Sequence, residues 1–423
     1  LERFADKVEE SGGEVHWCVT PDEARQTILD ICRTAGAKTV TKSKSMIGEE
    51  IAINEHLEEH GIEPVETDLG EYIIQLRHEP PSHIIAPAIH LSKEQVADTF
   101  REKHRHLSPG RSLDEPRVLL DEARGELRRK FIGADVGLTG ANMLIAETGS
   151  IVLVTNEGNA DLTYSLPRVH IVIASLEKIV PTLEDATTIL RVLARSATGQ
   201  EMSVYTTFCT GPKRQDDLDG PDEFHVVLLD NGRTGMLGGE FHEMLRCIRC
   251  GACLNHCPVY KAIGGHAYGW VYPGPIGAVV SPMLVGLKKA KELPQASSLC
   301  GACREVCPIK IDIPKMFLHL RNQTAESPDP NLRSAPIVER TMAKMYARLM
   351  SSPRLLGLSR RFGRALQLAE GMIPFSPLIK DGKWIRMAPL PPLSKWTRSR
   401  DLPMLPKQSF HDIWKKELSR DDS

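Results

Sequence analysis

The chain has 423 residues, a formal net charge of −2 and an apolar fraction of 41%, enough to core two or three domains. Near-neutral charge gives no general attraction to nucleic acid. No apolar run reaches the roughly 18 residues of a membrane-spanning helix, because the best candidate, Ile276–Leu287, is short and interrupted by Pro282. The sequence begins at Leu1 and not at methionine, so a preceding segment is expected, and the lack of a visible leader carries little weight.

From Leu1 to about Gly238 strand-like and helix-like pieces alternate. Glu14–Thr20 alternates as a strand does. Pro21–Ala35 opens on Pro21-Asp22-Glu23 and sets Ile28, Ile31 and Cys32 on one helical face. Lys38–Thr41 reads as a brief strand and Glu49–His60 as a helix closed by Gly61. Ile62–Thr67, Ile73–Leu76 and His83–Pro87 read as further strands, Ser92–Arg105 and Glu115–Phe131 as amphipathic helices. Ile151–Thr155 and Val169–Ala174 are predicted buried strands, Leu183–Ala194 a helix, and Ser203–Thr210 and Phe224–Asp230 the strands that close the sheet. Strands alternating with helices predict an α/β domain over 1–238 with a largely parallel sheet.

Within it, Gly133 to Ser150 is dense in Gly, Thr, Asn and acid, and Thr155-Asn156-Glu157-Gly158-Asn159 follows a buried strand. Turns at the ends of parallel strands are where open α/β folds bind ligands. Glu147 and Glu157 are a candidate carboxylate pair, and Asn142, Thr148 and Asn159 candidate hydrogen-bonding groups. In Thr41-Lys42-Ser43-Lys44-Ser45, Lys42 and Lys44 are candidate cations for an anion. The competing explanation is structural: glycines for positive φ, Asn and Thr as caps, lysines on a solvated loop.

The second region, 239–325, holds two cysteine runs, Cys247-Ile-Arg-Cys250-Gly-Ala-Cys253-Leu-Asn-His-Cys257-Pro258 and Cys300-Gly-Ala-Cys303-Arg-Glu-Val-Cys307-Pro308. The first is the C-x2-C-x2-C-x3-C-P pattern of two-cluster ferredoxins, in which the fourth cysteine serves the other cluster. The second lacks its first cysteine. The pattern predicts two iron–sulfur clusters: cluster 1 on Cys247, Cys250, Cys253 and Cys307, cluster 2 on Cys257, Cys300 and Cys303. Both are expected as [4Fe–4S], the second with three thiolates and so open to a [3Fe–4S] form. Ser297 falls where the missing cysteine would be, and Ser297, Ser298 and His266 are candidates for the fourth position. Zinc sites do not continue a C-x2-C-x2-C run into x3-C-P, and disulfide frameworks belong to small secreted domains. Cys18, Cys32 and Cys209 sit in apolar text and read as small buried hydrophobes. Helices are expected at Glu240–Cys247 and Pro308–Arg321, and the Gly-, Pro- and aromatic-rich loop Gly264–Pro275 as a lid or a docking surface.

The third region, 326–423, has eighteen Lys/Arg against ten Asp/Glu, the proline run Pro389-Leu390-Pro391-Pro392, and Trp384, Trp396 and Trp414. A helix is expected over Ile337–Met350. The rest reads as an irregular extension whose tryptophans could anchor it on its own chain or on a partner.

Taken together, Thr41–Met46, Ala146–Ser150, Asn156–Asn159, the two cysteine runs and Gly264-Gly265-His266-Ala267-Tyr268-Gly269 resemble the lactate-utilisation iron–sulfur protein family (LutB-like), along almost the whole chain. The resemblance implies a LUD-type domain similar to the sugar isomerase and CoA transferase fold, followed by an α-helical two-cluster ferredoxin module. It also implies one subunit of a multi-protein system that oxidises L-lactate to pyruvate, and a ligand site at Glu147 and Asn159.

Two functions compete. In one, the chain is an electron-transfer subunit that takes electrons from a partner subunit and passes them to an acceptor protein or a quinone. In the other, the α/β domain acts on a hydroxy acid or acyl substrate with Glu147 as base. The first is favoured, because no Gly-rich dinucleotide fingerprint is present and one-electron clusters do not readily take two electrons and a proton from an alcohol carbon. Thiolate-rich clusters point to a reducing, cytoplasmic compartment, with peripheral membrane contact where a quinone is the acceptor.

Overall fold

A computed structural model describes residues 1–333, 336–371, 379–380, 384–385, 397–406 and 408–418. The chain forms two compact units, Leu1–Ser334 and Ala335–Ser423. The first is built on a six-stranded parallel sheet. Its strands are β1 (Glu14–Cys18), β2 (Thr39–Lys42), β3 (Glu63–Glu66), β4 (Val136–Thr139), β7 (Val169–Ser175) and β10 (Glu223–Leu229). They lie in the order β1-β10-β7-β4-β2-β3. A second sheet, in the order β8-β5-β6-β9, contains β5 (Met143–Ile145), β6 (Ser150–Thr155), β8 (Ile179–Val180) and β9 (Tyr205–Cys209).

Parallel sheets are covered on both faces, so their inner strands are continuously apolar. All seven residues of β7 are buried. One face packs on the helix Pro21–Thr34, whose Ala24, Ile28, Leu29 and Cys32 meet Val136, Leu138, Ile171 and Val227. That helix starts where Thr20 accepts the Glu23 amide, with Pro21 in the first turn. The other face packs Val172, Phe224 and Val226 on Phe4 and Val8 of the first helix and on Leu144, Ile151 and Leu153 of the second sheet.

Five local expectations are corrected. Ile73–Leu76 belongs to a helix, Leu69–Arg77, started by Asp68 accepting the Gly70 and Glu71 amides. His83–Pro87 is a loop whose His83 ring accepts the Ile85 and Ala86 amides. Glu49–His60 is two helices, Met46–Glu50 and Ile53–Glu59, parted at Ala52 with φ 51°. Ser203–Thr210 supplies β9 to the second sheet and not to the parallel one. The helix after the second cysteine run starts only at Ile313, following Asp312, which accepts the Lys315 amide.

The cysteine region packs around its own core: Leu254, Tyr268, Tyr272, Ile276, Val279 and Phe317. The helix Gly274–Leu284, wholly buried from Gly274 to Pro282, runs through it. No described helix is long and apolar enough to cross a membrane.

In the second unit the helix Ile337–Ser351 is followed by the helix Pro353–Gly371. Short strands Ile379–Lys380, Trp384–Ile385 and Leu402–Pro403 pair antiparallel, and Arg360 meets Asp412 at 3.1 Å. Trp396 and Pro389–Pro392 lie outside the described residues.

Candidate iron–sulfur cradles and an adjoining cleft

The two cysteine loops repeat one backbone shape. Arg249 (φ 59°) and Gly251 (φ 72°) in the first match Leu299 (φ 55°) and Gly301 (φ 86°) in the second. Each loop continues into one helical turn, Ala252–Asn255 or Ala302–Glu305. Left-handed residues beside right-handed ones turn amide N–H groups into a concave nest suited to anions, iron–sulfur clusters included. The correspondence sets Ser297 in the place of Cys247.

The chain folds the cysteines into two hollows. Cys247, Cys250, Cys253 and Cys307 line the first with Ile84, Ile276, Ile311 and Ile313. Cys257, Cys300 and Cys303 line the second, with Ser297, Ser298 and Phe317. His266 is engaged elsewhere, donating from Nε2 to the Pro80 carbonyl at 2.9 Å and packing on His90. Ser297 Oγ accepts the Leu299 amide at 3.2 Å.

These donors fit iron–sulfur clusters. Burial, with Cys247 and Cys307 close by, pushes the Cys250 thiol up to about 11, and burial pushes Cys303 to about 11. Cys253 is raised well above the usual thiol range by burial and then by Cys247. Thiols so crowded favour the thiolate only against a cation, which iron supplies. The backbone offers donors as well, the Tyr260 amide to Cys257 Sγ at 3.4 Å among them. A bound cluster accepts and releases one electron at a time. In the first hollow Cys250 is buried and Cys247, Cys253 and Cys307 are half-buried; in the second Cys257 and Cys303 are buried and Cys300 is exposed.

The second hollow's three cysteines lead to an expected result. Ser297→Cys should supply a fourth thiolate and make the iron at that corner harder to lose. EPR after mild oxidation should give a [3Fe–4S]-type signal in the parent and much less in the variant. Equal signals would mean that another group already holds that corner.

Beside the first loop lies a cleft of about 330 Å³ at the carboxyl ends of β2, β4 and β7. It collects Lys44, Asn142, Glu157 and Asn159 of the candidate residues, and adds Lys178 and Arg249. Three candidates stand outside it. Lys42 is fully buried between Glu49 and Glu66, at 2.7 and 2.5 Å. Glu147 is exposed on the β5–β6 turn, accepting the Leu183 amide at 3.2 Å. Thr148 in the same turn donates to Ser150 Oγ. Glu147 and Glu157 are therefore not a working pair.

Of the residues that do line the cleft, Lys44 donates to the Ile85 carbonyl at 2.6 Å, and Asn142 Oδ1 accepts the Val154 amide at 2.9 Å. Partial burial and then the Asp68 charge raise the Glu157 carboxyl. Loss of water, then Arg249, lowers the Lys178 amine to about 8.

A buried polar network ties the α/β layer to the first cysteine loop. Arg233 Nη1 and Nη2 donate to both Glu50 oxygens at 2.9 and 2.7 Å, and its Nε lies 2.8 Å from Glu177. Glu177 also meets Arg249 at 3.3 Å. Tyr272 donates to Glu50 at 2.6 Å, and Arg249 lies over its ring at 4.9 Å. Sequence reasoning missed Lys178, Arg233 and Glu50, which stand in no motif. Arg249, between two cysteines, was visible but unread. Trp270 of the Gly264–Pro275 loop packs edge-on to Tyr272 at 5.4 Å and is half-buried.

A LUD domain model matches residues 1–229 and a 4Fe-4S dicluster domain model residues 243–311. The C-terminal region of lactate utilisation protein B matches 321–419. The fold and its two cradles thus define a LUD-domain protein carrying an iron–sulfur dicluster module. Lactate utilization protein B of Bacillus velezensis is 47% identical over 377 residues, covering 89% of this chain and 76% of that protein. The protein of that name from Shouchella clausii is 46% identical over 385 residues, 90% and 77%, and that from Bacillus subtilis 46% over 379 residues, 89% and 76%. The chain belongs to the lactate utilisation protein B family.

Proposed function

We propose that this chain is the iron–sulfur electron carrier of a lactate-oxidising system. It takes electrons singly from a partner that oxidises L-lactate to pyruvate and delivers them to an acceptor protein or a quinone. The observation that carries this reading is the gathering of seven cysteines into two hollows of one core, one beside the cleft and one that reaches the surface at Cys300. In this reading Cys247, Cys250, Cys253 and Cys307 hold a [4Fe–4S] cluster. Cys257, Cys300 and Cys303 hold the second, as [4Fe–4S] with a non-cysteine fourth ligand or as [3Fe–4S]. The relatives' name supports lactate utilisation as the setting. The chain's own residues shield the first cluster with isoleucines, donate amides to sulfur, and leave the second reachable by a partner. The cluster spectrum after L-lactate is added, with and without the partner proteins, tests the reading.

A further inference from the structure

The cleft holds polar groups that the protein leaves unmatched. Its acidic residues are engaged: Asp68 caps the helix Leu69–Arg77, and Glu157 accepts the Leu69 amide. Lys44 is held by the Ile85 carbonyl and lies 3.9 Å from Glu71. Three groups remain. Arg249 Nη1 is buried without a hydrogen-bond partner. Lys178 meets its neighbours by charge alone, with Arg249 first among them. Asn159 is 8% exposed, and its Oδ1 is buried with no donor to satisfy it. Among the described residues, the negative groups that act on Lys178, Arg233 and Arg249 are Glu50, Glu177 and the Cys247 sulfur, and both carboxylates already form ion pairs with the arginines. A negatively charged cluster in the first hollow would draw on the same cations, yet Lys178 lines the cleft and not the hollow. A buried donor, or an excess of buried positive charge, without a partner costs free energy that a ligand can recover.

We propose that the cleft binds a small hydroxycarboxylate, its carboxylate between Lys178 and Arg249 and its hydroxyl donating to Asn159 Oδ1. The two cations call for an anion, and an unsatisfied amide oxygen calls for a donor on the same small molecule. Leu153, Ile173, Leu193 and Ile248 supply apolar wall, and about 330 Å³ is the lower end of the size range for small-molecule sites. The setting at the carboxyl ends of parallel strands is the usual one for ligands of open α/β folds. This assignment rests on the lactate-oxidation reading only for the choice of L-lactate as probe, and it proposes binding, with no bond made or broken.

The test is calorimetric titration of L-lactate into the anaerobic, cluster-loaded full chain without any partner protein. Saturable binding is expected. Propionate, which lacks the hydroxyl, should bind at least about tenfold more weakly, the worth of one hydrogen bond to a buried group. Lys178→Met should weaken lactate by about tenfold or more, Lys178→Arg should restore most of it, and Asn159→Leu should reduce lactate to the level of propionate. Cluster absorbance should be the same in all four proteins. No saturable binding of lactate, equal binding of propionate, or unchanged affinity in Lys178→Met would overturn the assignment. Any of these would leave the electron-carrier reading standing, since that is read from cluster reduction in the presence of partners.

Discussion

Replacing Cys307 with alanine is expected to abolish the cluster of the first hollow and spare the second, although Cys307 belongs to the second cysteine run. Cys307 lies with Cys247, Cys250 and Cys253, while Cys257 of the first run lies with Cys300 and Cys303. Removing one of four thiolates from this cluster leaves an iron without a ligand in a hollow walled by Ile276, Ile311 and Ile313, which offer no replacement ligand. The variant should keep roughly half of the iron, and the remaining EPR signal should be that of the three-cysteine site. Cys257→Ala should do the converse, and more completely, because the second hollow then keeps two cysteines. Iron analysis and EPR on both variants check this. Loss of the second cluster alone from Cys307→Ala would contradict the crossed assignment.

The second large effect concerns Arg233. Its side chain is 3% exposed and joins Glu50, whose side chain is fully buried, to Glu177 at 5%. Taking one partner out of a buried ion pair leaves the other charge desolvated, a loss of about 3–5 kcal/mol. Arg233→Met should therefore lower the stability of the Leu1–Ser334 unit by about that amount. Glu50→Gln in the same chain should recover part of the loss, since the stranded charge is then gone. Urea unfolding of the two variants measures both terms. A change under about 1 kcal/mol for Arg233→Met would mean that water reaches the network.

What could be read from the sequence divides along physical lines. The cysteine cradles were legible because their cysteines sit at fixed short spacings, and the placing of Cys307 with the first loop follows from the repeat of the motif. The parallel sheet was legible because fully buried strands such as Val169–Ser175 are long apolar runs between helical segments. Ile73–Leu76 misled because a short apolar run does not reveal its period, and the Asp68 cap decides for a helix. The break at Ala52 has no glycine or proline to announce it. Lys44, Asn142 and Glu157 lie in turns at strand ends, Asn159 opens the helix that follows one, and all four line the cleft, whereas Glu147 shares their composition but is directed to the start of the helix Leu183–Ala197. Lys178 comes to Arg249 only where the first cysteine loop packs beside the α/β layer, so no local pattern could signal it.

The most direct measurement follows the cluster absorbance of the purified, anaerobic chain after L-lactate is added, first alone and then with the proposed lactate-oxidising partner proteins. Alone, the chain should keep its oxidised spectrum and should pass no electrons from lactate to a dye. With the partners, lactate should bleach both clusters. Bleaching by lactate in the isolated chain would contradict the electron-carrier account and make the α/β domain the catalyst.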